Sequence, residues 1–240
     1  MKVTDLVETK IDRLPKGHVF TFSDVSSGQE GKEAVIKALN RMVRVGKLEK
    51  LAKGKFYKPE ATVFGKLKPD LNQVVKDLLE RDGKTIGYLT GLSIYSQLGL
   101  TTQVSNLIQI GKNDIRPKLK RGRYTISFIQ QKNPITQDNI PLLQILDAIR
   151  YIKKIPDTSV TSAFKRIRSI IDSLSFADKQ KAMKLALKYP PSTRAILGAV
   201  LDTTQNRIDT DSLRKSLNPI TTYTLGIAEE WPVVEKWNIT

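Results

Sequence analysis

The chain has 240 residues, 40% of them hydrophobic, and its 40 Lys and Arg outnumber 24 Asp and Glu to give a net charge of +16. It has no cysteine, which excludes disulfides, thiolate catalysis and Cys-ligated metal sites. Its start lacks the apolar core of a signal peptide, and no apolar run approaches the roughly 20 residues of a membrane-spanning helix. We therefore expect a cytoplasmic, multi-domain α+β protein that does not bind membranes.

The positive charge is densest between the start of the chain and position 135. Residues 1–60 carry a net charge of +5, residues 61–135 carry +7 and residues 136–240 carry +4. A surface that binds a polyanion needs such an excess, although many basic proteins bind nothing charged. Charge alone therefore leaves nucleic-acid binding open.

The beginning of the chain predicts two helices separated by a short strand. Apolar side chains of residues 3–14 fall on one helical stripe, which Pro15-Lys16-Gly17 ends. Residues 18–21 are β-prone and short. We predict that a brief second helix begins at Ser23 or Asp24.

The clearest helix runs from Gly31 to Val45, where Gly46 supplies the stop. Two short strands, 47–52 and 55–58, follow around a Lys53-Gly54 turn. Helix, short strand, short helix, long helix and basic hairpin is the order of a winged helix-turn-helix. We predict this DNA-binding domain for residues 1–60.

The outer face of the long helix and the hairpin predict a surface for double-stranded DNA. Asn pairs well with adenine and Arg with guanine, so Asn40 and Arg41 are candidates for base recognition. Arg44 and the hairpin lysines are candidates for phosphate contacts. The predicted DNA-binding residues are Lys37, Asn40, Arg41, Arg44, Lys47, Lys50, Lys53, Gly54 and Lys55. The alternative is an ordinary amphipathic helix with a charged outer face.

The middle of the chain predicts a connector over 59–68 and a small α+β domain over 66–135, whose first helix ends at Asp82-Gly83. Its densest basic run consists of Arg116, Lys118, Lys120, Arg121 and Arg123. Three interpretations stay open for this run: a solvated loop, a second contact to the DNA backbone, and a surface for RNA or a protein partner.

The last part of the chain, residues 136–240, predicts a helical bundle. Apolar stripes recur over 142–152 and 160–174. Ser175 followed by Asp178 resembles a capping box for a third helix that runs to Tyr189, and a fourth helix starts at Pro190.

The sequence offers no arrangement of residues that predicts catalysis, a metal site or a cofactor. The only histidine, His18, lies at a predicted turn, and no glycine-rich phosphate-binding motif occurs. The acidic pair Glu229-Glu230 has the character of a solvated surface. We expect a protein that is not an enzyme, and keep a carboxylate-dependent nuclease as a hypothesis.

Three segments of the chain up to about position 130 resemble the AbiEi-type antitoxins of bacterial type IV toxin–antitoxin systems. They are KEAVIKALNRMVRVGKLEKLAKGKFYKP, GKTIGYLTGLSIYSQLGLTTQVSNLIQIG and RPKLKRGRYTISFI, and the later YPPSTRAILGAVLD and SLNPITTY resemble the helical end of a subgroup. The winged-helix part is shared by many regulators, whereas GYLTGLSIYSQLGLTT is less common. The C-terminal third departs more from the better-known members.

The resemblance implies that the winged helix binds inverted repeats upstream of its own operon and represses it. It also implies that the rest of the protein counters a nucleotidyltransferase toxin. Lys37, Asn40, Arg41 and residues 53–55 would face DNA, and the run from Lys118 to Arg123 is suggested for the antitoxin surface. The alternative hypothesis is a winged-helix regulator that has a ligand- or protein-sensing C-terminal module and no toxin partner.

Overall fold

The computed structural model describes residues 3–28, 31–204, 208–227 and 229–240. The chain divides into two compact units. The first comprises residues 1–79 with 119–125, and the second comprises residues 80–118 with 126–240. Helices and small sheets occur in both units, so the α+β class is as predicted.

The elements of residues 1–79 follow one another closely. They are helix α1 (Val3–Asp12), strand β1 (Val19–Phe20), helices α2 (Phe22–Val25) and α3 (Lys32–Arg44), strands β2 (Glu49–Ala52), β3 (Lys55–Tyr57), β4 (Glu60–Thr62) and β5 (Gly65–Leu67), and helix α4 (Leu71–Leu79).

The chain continues with short strands and then with longer helices. The strands and the helix between them are β6 (Glu80–Arg81), β7 (Lys84–Thr85), β8 (Tyr88–Thr90), α5 (Leu92–Gln97), β9 (Leu107–Lys112), β10 (Leu119–Arg121) and β11 (Tyr124–Gln130). The helices are α6 (Ile140–Arg150), α7 (Val160–Asp172), α8 (Phe176–Ala186), α9 (Pro191–Asp202) and α10 (Asp211–Lys215), with 3-10 turns at Ile152–Lys154 and Pro232–Trp237.

A three-stranded antiparallel sheet closes one side of the first unit. Its order is β1, β3, β2, so that β3 lies in the middle although it is the last of the three in sequence. Phe56 of β3 is paired with Phe20 of β1 and with Lys50 of β2. The sheet and helices α1 to α3 enclose an apolar core made of Val7, Ile11, Phe20, Val25, Val35, Leu39, Met42, Leu48 and Phe56.

Helix α3 ends where Gly46 takes a backbone conformation that suits glycine. The φ angle of Gly46 is +76°, in the left-handed region where a Cβ is unfavourable. The backbone N–H of Lys47 then donates to the carbonyl of Met42 at 3.0 Å, which satisfies one of the last free carbonyls of the helix. This turn directs the chain from α3 straight into β2.

Three local features between α2 and β7 differ from the sequence prediction. Helix α2 begins at Phe22 instead of Ser23 or Asp24, because the Asp24 carboxylate accepts from the Thr21 backbone N–H at 2.7 Å and thus caps the first turn. The predicted connector 59–68 contains the hairpin β4–β5. Helix α4 ends at Leu79, and the predicted stop at residues 82–83 is the turn of the hairpin β6–β7.

The second unit has a core to which β8, α5 and the later helices all contribute. In its sheet β9 lies between β11 and β8, and Leu89 of β8 is paired with Ile110 of β9. Helix α9 contacts α6, α7, α8 and α10. Tyr88 and Tyr95 belong to the same apolar cluster as these helices, whereas the sequence predicted separate domains for 66–135 and 136–240.

In the described parts of the chain, no helix combines the length and the apolar character that crossing a bilayer requires.

Candidate nucleic-acid interface

The outward face of helix α3 presents polar and basic side chains. Lys37, Asn40, Arg41 and Arg44 are all exposed. On the opposite side of the helix, apolar residues are buried in the core of the first unit. Within the described ranges, none of the four polar side chains has a hydrogen-bond or ion-pair partner. These four groups are therefore free to contact a ligand.

The turn between β2 and β3 presents a second basic feature. Gly54 has a φ angle of +73°, which allows the tight two-residue turn between Ala52 and Lys55. Lys53 and Gly54 are exposed at the tip, and Lys50 is exposed on β2. In the described structure the ammonium groups of Lys50 and Lys53 have no partner.

Lys55 is held inside the first unit, although it follows the same turn. Its Nζ lies 3.2 Å from the Asp77 carboxylate, and its side chain is only 18% exposed. Its charge is therefore largely matched by an acid of helix α4. This placement differs from the expectation that Lys55 contacts DNA phosphates.

Lys47 is also engaged, because it bridges to helix α1. Its Nζ donates to Glu8 at 2.6 Å and lies 3.0 Å from Asp12. The hydrogen bond to Glu8, together with the charge of both acids, raises the pKa of Lys47 despite partial burial. Lys47 thus ties the end of α3 to α1, which again differs from a role at phosphates.

Arg121 is the member of the basic run whose placement differs most from the sequence expectation. Its side chain is only 8% exposed, and its two terminal nitrogens donate to the two carboxylate oxygens of Asp77 at 2.5 and 2.7 Å. It also donates to the carbonyl of Val74 at 2.8 Å. Arg121 therefore joins β10 to helix α4 instead of presenting its charge to a ligand.

Asp77 is the carboxylate with which both Arg121 and Lys55 form ion pairs. Burial alone would raise the pKa of Asp77, but the hydrogen bonds and positive charges of Arg121 and Lys55 outweigh burial and lower the pKa. Asp77 could not be recognised from the sequence, since an acid within an amphipathic helix carries no distinctive signal.

The other members of the basic run have varied surroundings. Lys118 and Lys120 are exposed, and Arg116 is half-buried. Arg123 lies over the ring of Tyr124, 5.0 Å from its centroid, and donates to its hydroxyl at 3.1 Å. The run is therefore not one continuous cationic surface.

Lys32 is a basic residue at the beginning of α3 that the sequence analysis missed. Its ammonium lies 5.1 Å from the ring centroid of Phe22, and the residue is exposed. A cation is unfavourable in the first turn of a helix, where the macrodipole is positive. This unfavourable placement of Lys32 could be recognised in the sequence. Lys32 adds a further cation to the α3 surface.

The buried polar groups of the second unit form a network around Asp147, which is 1% exposed. Its carboxylate accepts hydrogen bonds from Tyr88 at 2.7 Å, Thr90 at 2.9 Å and Tyr189 at 3.0 Å. Gln131 donates to both tyrosine oxygens at 2.8 Å. Burial raises the pKa of Asp147 to about 6, although the three hydroxyl donors act in the opposite direction.

Side chains that could ligate a metal do not cluster in the described residues. Across these ranges no three His, Asp or Glu side chains come together as metal ligands would. His18 is half-buried before β1, and its backbone N–H donates to the Pro15 carbonyl at 3.3 Å. The α3 face and the Lys53 turn are consequently the strongest candidates for a binding site.

A family model described as "Family of unknown function (DUF6088)" matches residues 6–181. The chain belongs to the DUF6088 family. The matched stretch of this DUF6088 member includes the α3 face, the Lys53 turn and the run 116–123. The family description assigns no function, so the resemblance to AbiEi-type antitoxins stays a prediction.

The DUF6088 chain is also similar to a solved structure, "Crystal structure of RV2827C protein from Mycobacterium tuberculosis". The TM-score is 0.58, the sequence identity is 14%, and the similarity covers 91% of this chain and 82% of that chain. At this identity the likeness concerns the fold alone. No curated protein sequence matches the chain.

Proposed function

We propose that the protein binds double-stranded DNA through a winged helix-turn-helix in residues 1–60. The order α1, β1, α2, α3, β2, β3 and the sheet order β1, β3, β2 support this assignment, because a winged helix places its last strand between the other two. Helix α3 is then the recognition helix and the β2–β3 turn is the wing. The observation that carries the proposal is the partner-free polar face of α3 beside a partner-free lysine at this turn, both within the described part of the chain.

The proposed contacts divide by chemistry. The major groove of B-DNA is about 12 Å wide and admits an α-helix, so the side chains at the centre of the α3 face reach base edges. Asn40 and Arg41 have the donor and acceptor groups that discriminate bases. Arg44 and Lys53 contact phosphates of the DNA backbone that flank the major groove, and Lys32 adds a further cation.

The role of Lys47 and Lys55 changes in this proposal. Their ammonium groups already have carboxylate partners, at 2.6 Å for Lys47 and 3.2 Å for Lys55. Breaking those ion pairs to reach a phosphate would exchange one charge partner for another and gain little. The proposed DNA-binding set is therefore smaller than the sequence-based one and centres on residues 32–44 and on residues 50 and 53.

We further propose that this binding represses the protein's own operon and that the protein acts as an antitoxin. Both roles rest on the resemblance of the N-terminal and middle parts of the chain to AbiEi-type antitoxins. The nucleotidyltransferase toxin would be encoded by the neighbouring gene. If co-expression of this protein failed to restore growth to cells that make that neighbour, the antitoxin role would have to be abandoned.

The DNA-binding proposal is tested with a labelled duplex from upstream of the gene and a scrambled duplex of equal length. We expect the full chain to prefer the upstream duplex, and Arg41→Ala to weaken specific binding by about 1–3 kcal/mol. Arg13→Ala is the matched control, since Arg13 is exposed in the same unit but lies outside the proposed face. Equal binding of both duplexes, or equal losses in both variants, would remove the assigned recognition face.

A further inference from the structure

The second unit contains a cavity whose charged lining is entirely cationic. It lies where α8 meets α9, beside the residues that follow β11, and its volume is about 440 Å³. Four of its lining residues are cationic, namely Lys132, Arg150, Lys188 and Arg194. No acidic residue contributes to its described lining.

Four like charges around one concavity repel one another, and an anion in the cavity would relieve that repulsion. The nearby buried acid, Asp147, does not line the cavity, because its carboxylate faces the hydroxyls of Tyr88, Thr90 and Tyr189. Arg150 is close enough to lower the pKa of Asp147, but its side chain is exposed and not hydrogen-bonded to that carboxylate. The cavity therefore keeps a net positive lining.

Arg194 adds a second and independent observation. One terminal nitrogen donates to the Ser216 carbonyl at 2.7 Å, which fixes the guanidinium. Its Nε is buried, and within the described residues it has no acceptor. A buried donor that lacks an acceptor is unfavourable, so the protein groups around Arg194 do not fully satisfy its guanidinium.

The remaining walls suit a ligand that is more than a bare ion. Gln130 is an exposed polar residue of the lining, and Leu187, Tyr189, Pro190 and Pro191 contribute apolar surface. The volume falls in the range of small-molecule sites, which extends from roughly 300 to 1,000 Å³. Pro191 also begins helix α9, so that the positive end of a 12-residue helix lies at the cavity.

We propose that this cavity binds a phosphorylated small molecule, with its phosphate groups held by Lys132, Arg150, Lys188 and Arg194. The apolar wall would contact the body of the ligand. This site lies in the second unit and does not depend on the proposed DNA-binding function of the first.

The test is calorimetric titration of the full chain with inorganic pyrophosphate in about 150 mM salt, which screens weak binding to exposed charges. We expect one pyrophosphate per chain. The double variant Lys132→Gln/Arg150→Gln should bind at least tenfold more weakly. The double variant Lys184→Gln/Arg214→Gln removes the same charges from exposed positions outside the cavity and should bind as the unmodified chain does.

Two further measurements keep the test decisive. Arg13→Ala removes an exposed cation of the first unit that lies outside the proposed DNA-binding face, and it should leave pyrophosphate binding unchanged. If the cavity double variant melts well below the unmodified chain, Lys132→Gln alone replaces it, with an expected loss of several-fold. Absence of pyrophosphate binding to the unmodified chain, or an equal loss in the two double variants, would overturn the proposal.

Discussion

Lys53 and Lys55 stand two positions apart at one hairpin, yet their side chains have different surroundings. Lys53 is exposed, whereas Lys55 is 18% exposed and paired with Asp77. From the sequence both were equivalent wing lysines, because the residue that distinguishes them is distant along the chain. Residue type predicted the basic character of the hairpin, and only the fold could identify which charge is free.

The ion pair between Asp77 and Arg121 gives a prediction about stability. Asp77→Ala removes the carboxylate that pairs with the buried Arg121 guanidinium. Among the described residues, the Val74 carbonyl then remains as its hydrogen-bond acceptor. We expect a loss of about 1–3 kcal/mol in the free energy of unfolding, because an unpaired buried charged donor is costly. Urea unfolding measures this loss. Asp114→Ala, at an exposed acid, is the control, and similar losses in both variants would argue against a structural role for the pair.

The buried Asp147 gives a prediction about pH. Its pKa is raised from 3.8 to about 6 in the folded protein. At a pH between these two values, the folded state therefore keeps a proton that the unfolded state has released. Its contribution to stability is therefore fully present below pH 4 and is lost as the pH rises through 6, by about 2–3 kcal/mol.

Asp147→Asn separates this contribution from those of the other acids. The variant has nothing to titrate at this position, so its stability relative to the unmodified protein should improve as the pH rises from 4 to 7. Urea unfolding at several pH values gives the difference between the two proteins. Parallel stability curves over this range would mean that Asp147 does not titrate as described.

At the scale of elements, helical periodicity predicted the long helices well. Helix α3 was predicted over 31–45 and is formed by Lys32–Arg44. Glycine stops such as Gly46 act locally and can be recognised in the sequence. The hairpins β4–β5 and β6–β7 were missed because strands as short as these leave no room for an alternating pattern to appear.

Helix α9 gives a prediction at the same scale. Gly198 lies within it, where glycine is about 1 kcal/mol less favourable than alanine. A Cβ at this position would collide with the indole ring of Trp237, whose Nε1 donates to Asp202 at 2.9 Å. Helix propensity and packing therefore oppose each other, and packing prevails because the ring is buried.

Gly198→Ala should lower the free energy of unfolding by about 1–3 kcal/mol through overpacking, despite the better helix former. Gly31→Ala is the control, since a Cβ there meets nothing within 4 Å. Gly31 is the N-cap of α3, where Ala is less favourable than Gly, so we expect a loss of at most about 1 kcal/mol. A stabilised Gly198→Ala protein would contradict the packing argument.

At the scale of the whole molecule, the sequence could not predict how segments combine. Residues 119–125 belong to the first unit together with residues 1–79. The intervening residues 80–118 belong to the second unit. Apolar periodicity shows that a face is buried but not against which partner. For this reason Tyr88, Tyr95 and Leu100 were separated from the helices with which they share a core.

A fragment ending at residue 135 tests this shared core. It lacks α6 to α9, so the side chains of Tyr88, Tyr95 and Leu100 lose the helices that cover them. We expect the backbone amides of β8 and β9 to exchange with solvent much faster than in the full chain. Hydrogen exchange followed by mass spectrometry measures this, and strong protection of these strands in the fragment would instead support an independent middle domain.

The central claim is that the protein binds DNA through the free cations of α3 and the β2–β3 turn. The most direct test measures affinity for the upstream duplex over a range of salt concentrations for the unmodified protein, Lys53→Ala and Lys47→Ala. We predict that Lys53→Ala reduces the salt slope by about one, because one phosphate contact is lost. Lys47→Ala should leave the slope unchanged, because Lys47 is paired with Glu8 and Asp12. An unchanged slope for Lys53→Ala, or an equal reduction for Lys47→Ala, would contradict the account.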